Sequence, residues 1–212
     1  MDDAAAPHPP LTAGWLVEVA DRVPAGRAAL DLLGGACHPA VAHHSARTLR
    51  YALDLADRSG ADVDRDALVH ACLLHDLGAS ALAVGPERFE VQGADLAVAL
   101  LAEHGWAPSR REQVWAAIAV HTSPHVAERL SPLTRLVRLG VRADFGDDLV
   151  DPALRRATEA DHPRLDAERV LSGVVVDAAL RDGRRAPETS WAAALLAAHR
   201  ASPDPDARLA AF

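Results

Sequence analysis

The chain reads as all-α, a single-domain helical bundle, and three observations predict it. Apolar residues recur at helical spacing in nearly every segment between turn signals. No stretch of useful length alternates apolar and polar residues as a half-buried strand would. Half of the 212 residues are apolar but only 4% are aromatic. The core must then be mostly Ala, Leu and Val, which suits close-packed helices better than a β-sandwich. The length fits one domain with a real core.

Residues 1–10 are rich in Ala, Pro and Asp and read as a loose leader. A first helix is predicted over Thr12 to Arg22, stopped by Pro24. A second, short helix ends at Gly34-Gly35. Pro39 to Ser59 is long and periodic, with Gly60 as its stop. Asp64 caps a helix that runs to His75-Asp76, and residues 78–88, with Gly78, Gly85 and Pro86, form a loop. Glu90 to His104 is helical with Gly105 at C′. Ser109 and Glu112 have capping-box spacing and open a helix reaching about His121. Ser131-Pro132 and Asp151-Pro152 are cap-then-proline starts. Asp166 opens a helix ending near Gly183. Leu171 to Val176 is β-branched in part but lies inside a helical period. Pro187 to Arg200 is the last helix, so the domain spans 11–201 and 202–212 is a tail.

The formal charge is −8, and all 22 basic residues are arginine. That balance argues against a general nucleic-acid binder, while a local arginine patch still suits a phosphate. No run of about 18 uncharged apolar residues exists to span a membrane. The acidic start, Met1-Asp2-Asp3, is unlike a secretory signal. Cys37 and Cys72 match no zinc-ribbon spacing and fit a reducing cytoplasm. The Ala-rich helices after residue 165, including Val174 to Leu180 and Trp191 to Leu196, either form a homo-oligomer face or close the core.

The densest chemistry is His75-Asp76, which ends the run Leu68 to Leu74 and precedes Leu77-Gly78. Burying an imidazole and a carboxylate beside leucines costs free energy unless both are paired or bind a metal. Successive side chains lie about 100° apart around a helix axis, so both reach one ion only where the helix unwinds. Upstream, His43-His44 supplies a further candidate, and His44 shares a face with Arg47, Thr48 and Tyr51. Downstream, Asp144 follows an apolar-basic run.

The order His, His-Asp, Asp resembles the HD-domain superfamily of metal-dependent hydrolases. A narrower resemblance, over about residues 38–146, is to its cyanamide-hydratase-like branch. It rests on His44, Ser45 and Arg47, on Arg88-Phe89-Glu90-Val91-Gln92-Gly93-Ala94-Asp95, and on Ala117 to Thr122. The resemblance implies an HD-type helical bundle with one divalent ion held by His44, His75, Asp76 and Asp144. His43 is the competitor for the first position, and the family pattern favours His44. Zinc is the first expectation, with iron and manganese as alternatives, since all accept imidazole and carboxylate.

Asp76 and His121 are the candidates for proton transfer, and His121 alternatively only caps a helix end. Arg47, Arg88 and Glu90 are candidates for substrate contact or for ordering the site. Asp95 either caps its helix or reaches the site. His8, His38, His70, His125, His162 and His199 are taken as structural or exposed. The expected partner is a small-molecule substrate. The leading expectation is a hydrolase or hydratase acting on a nitrile or cyanamide. A phosphate-ester hydrolase using Arg47 and Arg88 is the alternative. A di-iron oxygenase would need His104 and His121 as added ligands, and a sensor module would show a degraded ligand set.

Overall fold

A computed structural model describes residues 11–202 and Asp204. The expectations for the leader, His8 and most of the tail lie outside the described residues. The described chain forms α1 (Gly14–Arg22), α2 (Gly26–Ala36), α3 (Pro39–Ser59), α4 (Arg65–Leu74), α5 (Phe89–Glu103) and α6 (Pro108–Ala119). It continues with α7 (Ala127–Leu130), α8 (Pro132–Asp144), α9 (Pro152–Asp161), α10 (Ala167–Arg181) and α11 (Trp191–Ala201). Short 3-10 turns occur at Leu77–Ala79 and Gly183–Arg185, and no strand occurs among the described residues. The all-α expectation holds.

The long helix α3 runs through the middle and packs along α8 and α4. On α4, every residue from Ala67 to Leu74 is buried. Each leucine taken fully out of water there contributes roughly 1.5–3 kcal/mol. Two glycines permit the close approaches that place the site. A Cβ on Gly140 would stand 2.7 Å from the Thr48 carbonyl oxygen, so α8 lies directly on α3. One on Gly78 would stand 1.7 Å from the Phe89 carbonyl oxygen, so the turn after α4 lies against the start of α5. The facing Gly93 allows the same approach from α5.

Several boundaries differ from the sequence expectations for identifiable reasons. Helix α1 starts at Gly14 rather than Thr12. Helix α2 runs on through Gly34-Gly35 to Ala36, and the Cys37 amide still donates to Leu33 O at 3.1 Å. Burial of Leu30 and Leu33 outweighs the weak helix propensity of the glycines. Helix α6 starts at Pro108, and the Ala107 carbonyl accepts the Arg110 and Arg111 amides. A proline at the first helical position fixes that start, so no Ser109–Glu112 box forms. The box occurs instead at Ser131 and Thr134 of α8. Asp166 opens α10 in a left-handed conformation without a side-chain cap. Helix α11 starts at Trp191, capped by Ser190, and not at Pro187. Val175, Val176 and Ala179 of α10 and Ala192, Leu195 and Leu196 of α11 are buried within the chain. These helices therefore close the core, and Leu180 remains exposed.

Candidate metal centre

Four helix segments converge on one buried point. Helix α3 presents His44, and the end of α4 presents His75 and Asp76. Asp76 leaves the helical conformation (φ −102°, ψ 13°), which lets adjacent side chains face the same point as the sequence reading required. His44 Nε2 lies 3.1 Å from His75 Nε2 and 3.5 Å from Asp76 Oδ2, and His75 Nε2 lies 3.2 Å from that oxygen. Beyond the end of α6, His121 Nε2 lies 3.4 Å from the other Asp76 oxygen, Oδ1. The end of α8 supplies Asp144, whose Oδ2 accepts from His44 Nδ1 at 2.6 Å.

The imidazole tautomers follow from their neighbours. His75 Nδ1 donates to Cys72 O at 2.8 Å, and His121 Nδ1 donates to Ile118 O at 2.7 Å. Carbonyl and carboxylate oxygens only accept, so the Nδ1 atoms of His44, His75 and His121 carry protons. In the neutral rings the Nε2 lone pairs face one another and Asp76. Both Asp76 oxygens are buried without a hydrogen-bond partner. An arrangement of acceptors this close, out of water, is costly unless a cation or protons lie among them.

The donor set fits a divalent ion. His44, His75 and Asp76 are the group whose ligand atoms all lie near one another. Zinc bonds of about 2.0–2.2 Å in a tetrahedron put ligand atoms roughly 3.3–3.6 Å apart. The three separations of 3.1, 3.2 and 3.5 Å approach those edges. Asp144 and His121 do not join that group.

Electrostatics sharpen the contrast among these residues. Burial pushes the His44 imidazole down, further than Asp144 and Asp76 raise it. Burial also opposes charge on His75, but the adjacent Asp76 carboxylate outweighs it and the net shift is upward. Burial works to raise Asp76, yet the facing His75, His121 and His44 hold it well below the usual carboxylate range. Asp144 is lowered against its burial by His44 and Arg47.

The other expected residues take clear places. Arg47 is fully buried and does not line the cavity. Its Nε and NH2 donate to the two Asp144 oxygens at 2.7 and 2.8 Å. Its NH1 donates to His162 O and Pro163 O. Arg88 donates twice to Glu90, at 2.9 and 3.0 Å, and once to Thr122 Oγ1. The Thr122 hydroxyl also donates to Glu90. Arg88 and Glu90 thus order the turn that follows His121 and do not line the cavity. Asp95 accepts from Trp115 Nε1 at an exposed position away from the site. His43 faces away from His75, its Nδ1 3.2 Å from His162 Nδ1. His104 is exposed at the end of α5, with Nδ1 on Leu100 O, so the extra ligand required for a second iron is not at the site.

The converging groups open onto a cavity of about 500 Å³. Its wall includes Phe145, Val141, Leu171 and Trp191, together with Arg138 and Arg142. Phe145 stacks on the His44 ring at 4.6 Å. Sequence reasoning missed Arg138, Arg142, Leu171 and Trp191 as wall residues. Arg138 and Arg142 are spaced i, i+4 on one amphipathic helix, a signal that was available. Leu171 and Trp191 carry no local signature.

Residues 41–145 match the HD domain family. The match supports the HD-domain superfamily. Both the His44 helix and Asp144 fall within the matched residues, as do His75, Asp76 and His121. HD domains are generally those of metal-dependent hydrolases, and His44, His75 and Asp76 form a group suited to an ion. No curated protein matches the chain. Among the described residues no helix is long and apolar enough to cross a membrane.

Proposed function

We propose that this HD domain is a hydrolase or hydratase in which a divalent ion, zinc first with iron or manganese as alternatives, is held by His44 Nε2, His75 Nε2 and Asp76. The observation that carries this reading is the fully buried Asp76 carboxylate, without a hydrogen-bond partner and faced by the Nε2 atoms of these two histidines. A set of two imidazoles and one carboxylate leaves positions open, and the bound ion would supply a water of lowered pKa for attack.

The chain's own groups divide the remaining work. Asp76 Oδ1 points toward His121 Nε2 and accepts the proton that the attacking water loses. His121 Nε2 relays that proton to the leaving or developing anion. The Arg88–Glu90–Thr122 network fixes the turn that aims His121. On a nitrile, water oxygen would bond to carbon while the nitrogen gains the first proton, giving an imidic acid that becomes the amide when its O–H proton moves to nitrogen. That substrate class follows from the resemblance to the cyanamide-hydratase-like branch. The free, buried Cys37 and Cys72 support a reducing compartment such as the cytoplasm.

Phosphate-ester hydrolysis is a second reading, favoured by Arg138 and Arg142 at the cavity wall. Both have acidic neighbours: Glu128 lies 3.5 Å from Arg138, and Asp147 pairs with Arg142. The cavity also exceeds what a bare nitrile fills, which favours a substrate with an apolar body.

The test is metal content per chain and turnover for His75→Ala and Asp76→Ala beside wild type. Both variants are expected to lose the ion and activity while keeping their helical circular dichroism. Turnover retained in ion-free protein would refute the assignment. A screen of small nitriles and then aryl phosphates separates the two substrate classes.

A further inference from the structure

We infer that Leu171 and Trp191, on helices beyond the matched region, are specificity-determining residues. They close an apolar subsite over the candidate site, and that subsite takes an uncharged substrate whose apolar body is the size of an aryl ring. The inference deepens the proposed function and rests on its reading that the substrate enters the cavity lined by His75 and Asp76.

Both residues lie after the matched residues 41–145. Helix α10 packs on α3 and on the 3-10 turn Leu77–Ala79 that follows Asp76, and α11 packs on α10. Leu171 and Trp191 thereby join Val141 and Phe145 in the cavity wall. Leu171 and Val141 are buried, and Trp191 is half-buried. The Trp191 ring stands 5.7 Å from Phe89, which stands 5.8 Å from the His121 ring. Such separations are those of interacting aromatic rings, so the indole has a fixed seat beside the site. Its helix start is also held. Thr189 has left-handed backbone at φ 66°, rare for a β-branched residue and kept only where neighbouring contacts impose it. Next to it, Ser190 Oγ donates to Pro187 O at 2.6 Å and accepts the Ala193 amide.

Size and charge then select the occupant. A cavity of roughly 150 Å³ lined by apolar side chains already admits benzene. The cavity here measures about 500 Å³, enough for a ring against Trp191 and Leu171 and a polar head group toward the histidines. The wall arginines bring no surplus positive charge. Arg138 Nε lies 3.5 Å and Arg142 NH1 3.9 Å from the same Glu128 oxygen. Arg142 NH2 pairs with Asp147, itself a wall residue. Arg138 NH1 donates to His121 O at 3.1 Å. Two guanidiniums are thus matched by two carboxylates, and an incoming anion meets both signs. Like charges brought together oppose binding, whereas an uncharged head group meets no such opposition.

The experiment measures binding of three fluorinated probes of one shape to the full chain as purified, by ligand-observed ¹⁹F NMR. The probes are 4-fluorobenzamide, 4-fluorobenzoate and 4-fluorophenylphosphonate, and the proteins are wild type, Trp191→Ala and Leu171→Ala. Metal content and helical circular dichroism are read on the same samples. Wild type should bind the uncharged amide saturably and more tightly than either anion. Trp191→Ala should weaken the amide about 10-fold, the scale of a lost apolar contact in a pocket, with metal content and helical signal kept. Leu171→Ala should act in the same direction. Trp191 is half-buried, so its variant should fold and decides alone if Leu171→Ala does not. The inference is overturned if the amide shows no saturable binding, if either anion binds more tightly, or if Trp191→Ala leaves the amide affinity unchanged. A wild type without an ion would refute the metal reading instead. The ratio of amide affinities between wild type and Trp191→Ala would still decide the subsite.

Discussion

Replacing Gly78 by alanine tests whether the close approach after α4 builds the site. The added Cβ would lie 1.7 Å from the Phe89 carbonyl oxygen, 2.6 Å from its carbon and 2.9 Å from the Gly93 nitrogen. Ordinary contact begins at 3.4 Å, so Phe89 must retreat by 3.4 − 1.7 = 1.7 Å. All three neighbours are backbone, and a close-packed interior has no slack to absorb the shift. The upper end of the overpacking range applies, about 3 kcal/mol. For a chain of this size that lowers Tm by roughly 6–12 °C. Gly78 is two residues from Asp76, so zinc uptake should fall as well. Gly35→Ala is the opposite control, because nothing lies within 4 Å of its added Cβ. In a helix that change gains about 0.5–1 kcal/mol. Thermal denaturation of both variants is the assay. A Gly78→Ala Tm within about 2 °C of wild type, less than 1 kcal/mol, would refute the reasoning.

Acid stability should depend on His162. Burial, then the charges of His43 and Arg47, depress its imidazole from 6.5 to about 4. The unfolded chain therefore binds the extra proton first, and the associated stability is complete above pH 6.5 and is lost as pH falls to about 4. The shift corresponds to about 3 kcal/mol. Urea melts at stepped pH should show His162→Gln flatter than wild type over that window, and parallel curves would count against it. Burial, with the Asp76 charge adding to it, pushes the Cys37 thiol up to about 12, and burial pushes Cys72 higher still. Neither should react with a disulfide reagent at pH 8 until the chain is unfolded. Rapid labelling of native protein would contradict their burial.

What could be read from the sequence was local. His75-Asp76 stood out because a buried run ended in two polar side chains, and the same few residues contain the unwinding that joins them. Helices α3, α5 and α8 were visible through periodicity and caps. The Gly34-Gly35 pair misled at α2, because propensity is weak beside the burial of Leu30 and Leu33. Arg47 was recognised, but its partners are 97 and 115 residues away, so its role could not be read from spacing. Asp144 was found as a residue, while its neighbour Arg164, 20 residues on, has no motif around it. For Arg88 and Glu90 the sequence left substrate contact and ordering of the site both open, and the bidentate pairing favours ordering.

The span of these contacts bears on how the protein matures. His44 meets Asp144 across 100 residues, and Arg47 meets His162 across 115. Pairings so far apart in sequence close large loops and form late. During synthesis the first ligand helix emerges well before the segment that holds its arginine. An ion captured early would meet a His44 ring still free to turn. Tight retention of the ion would then mark a finished chain, and slow metal release would report folding as well as affinity.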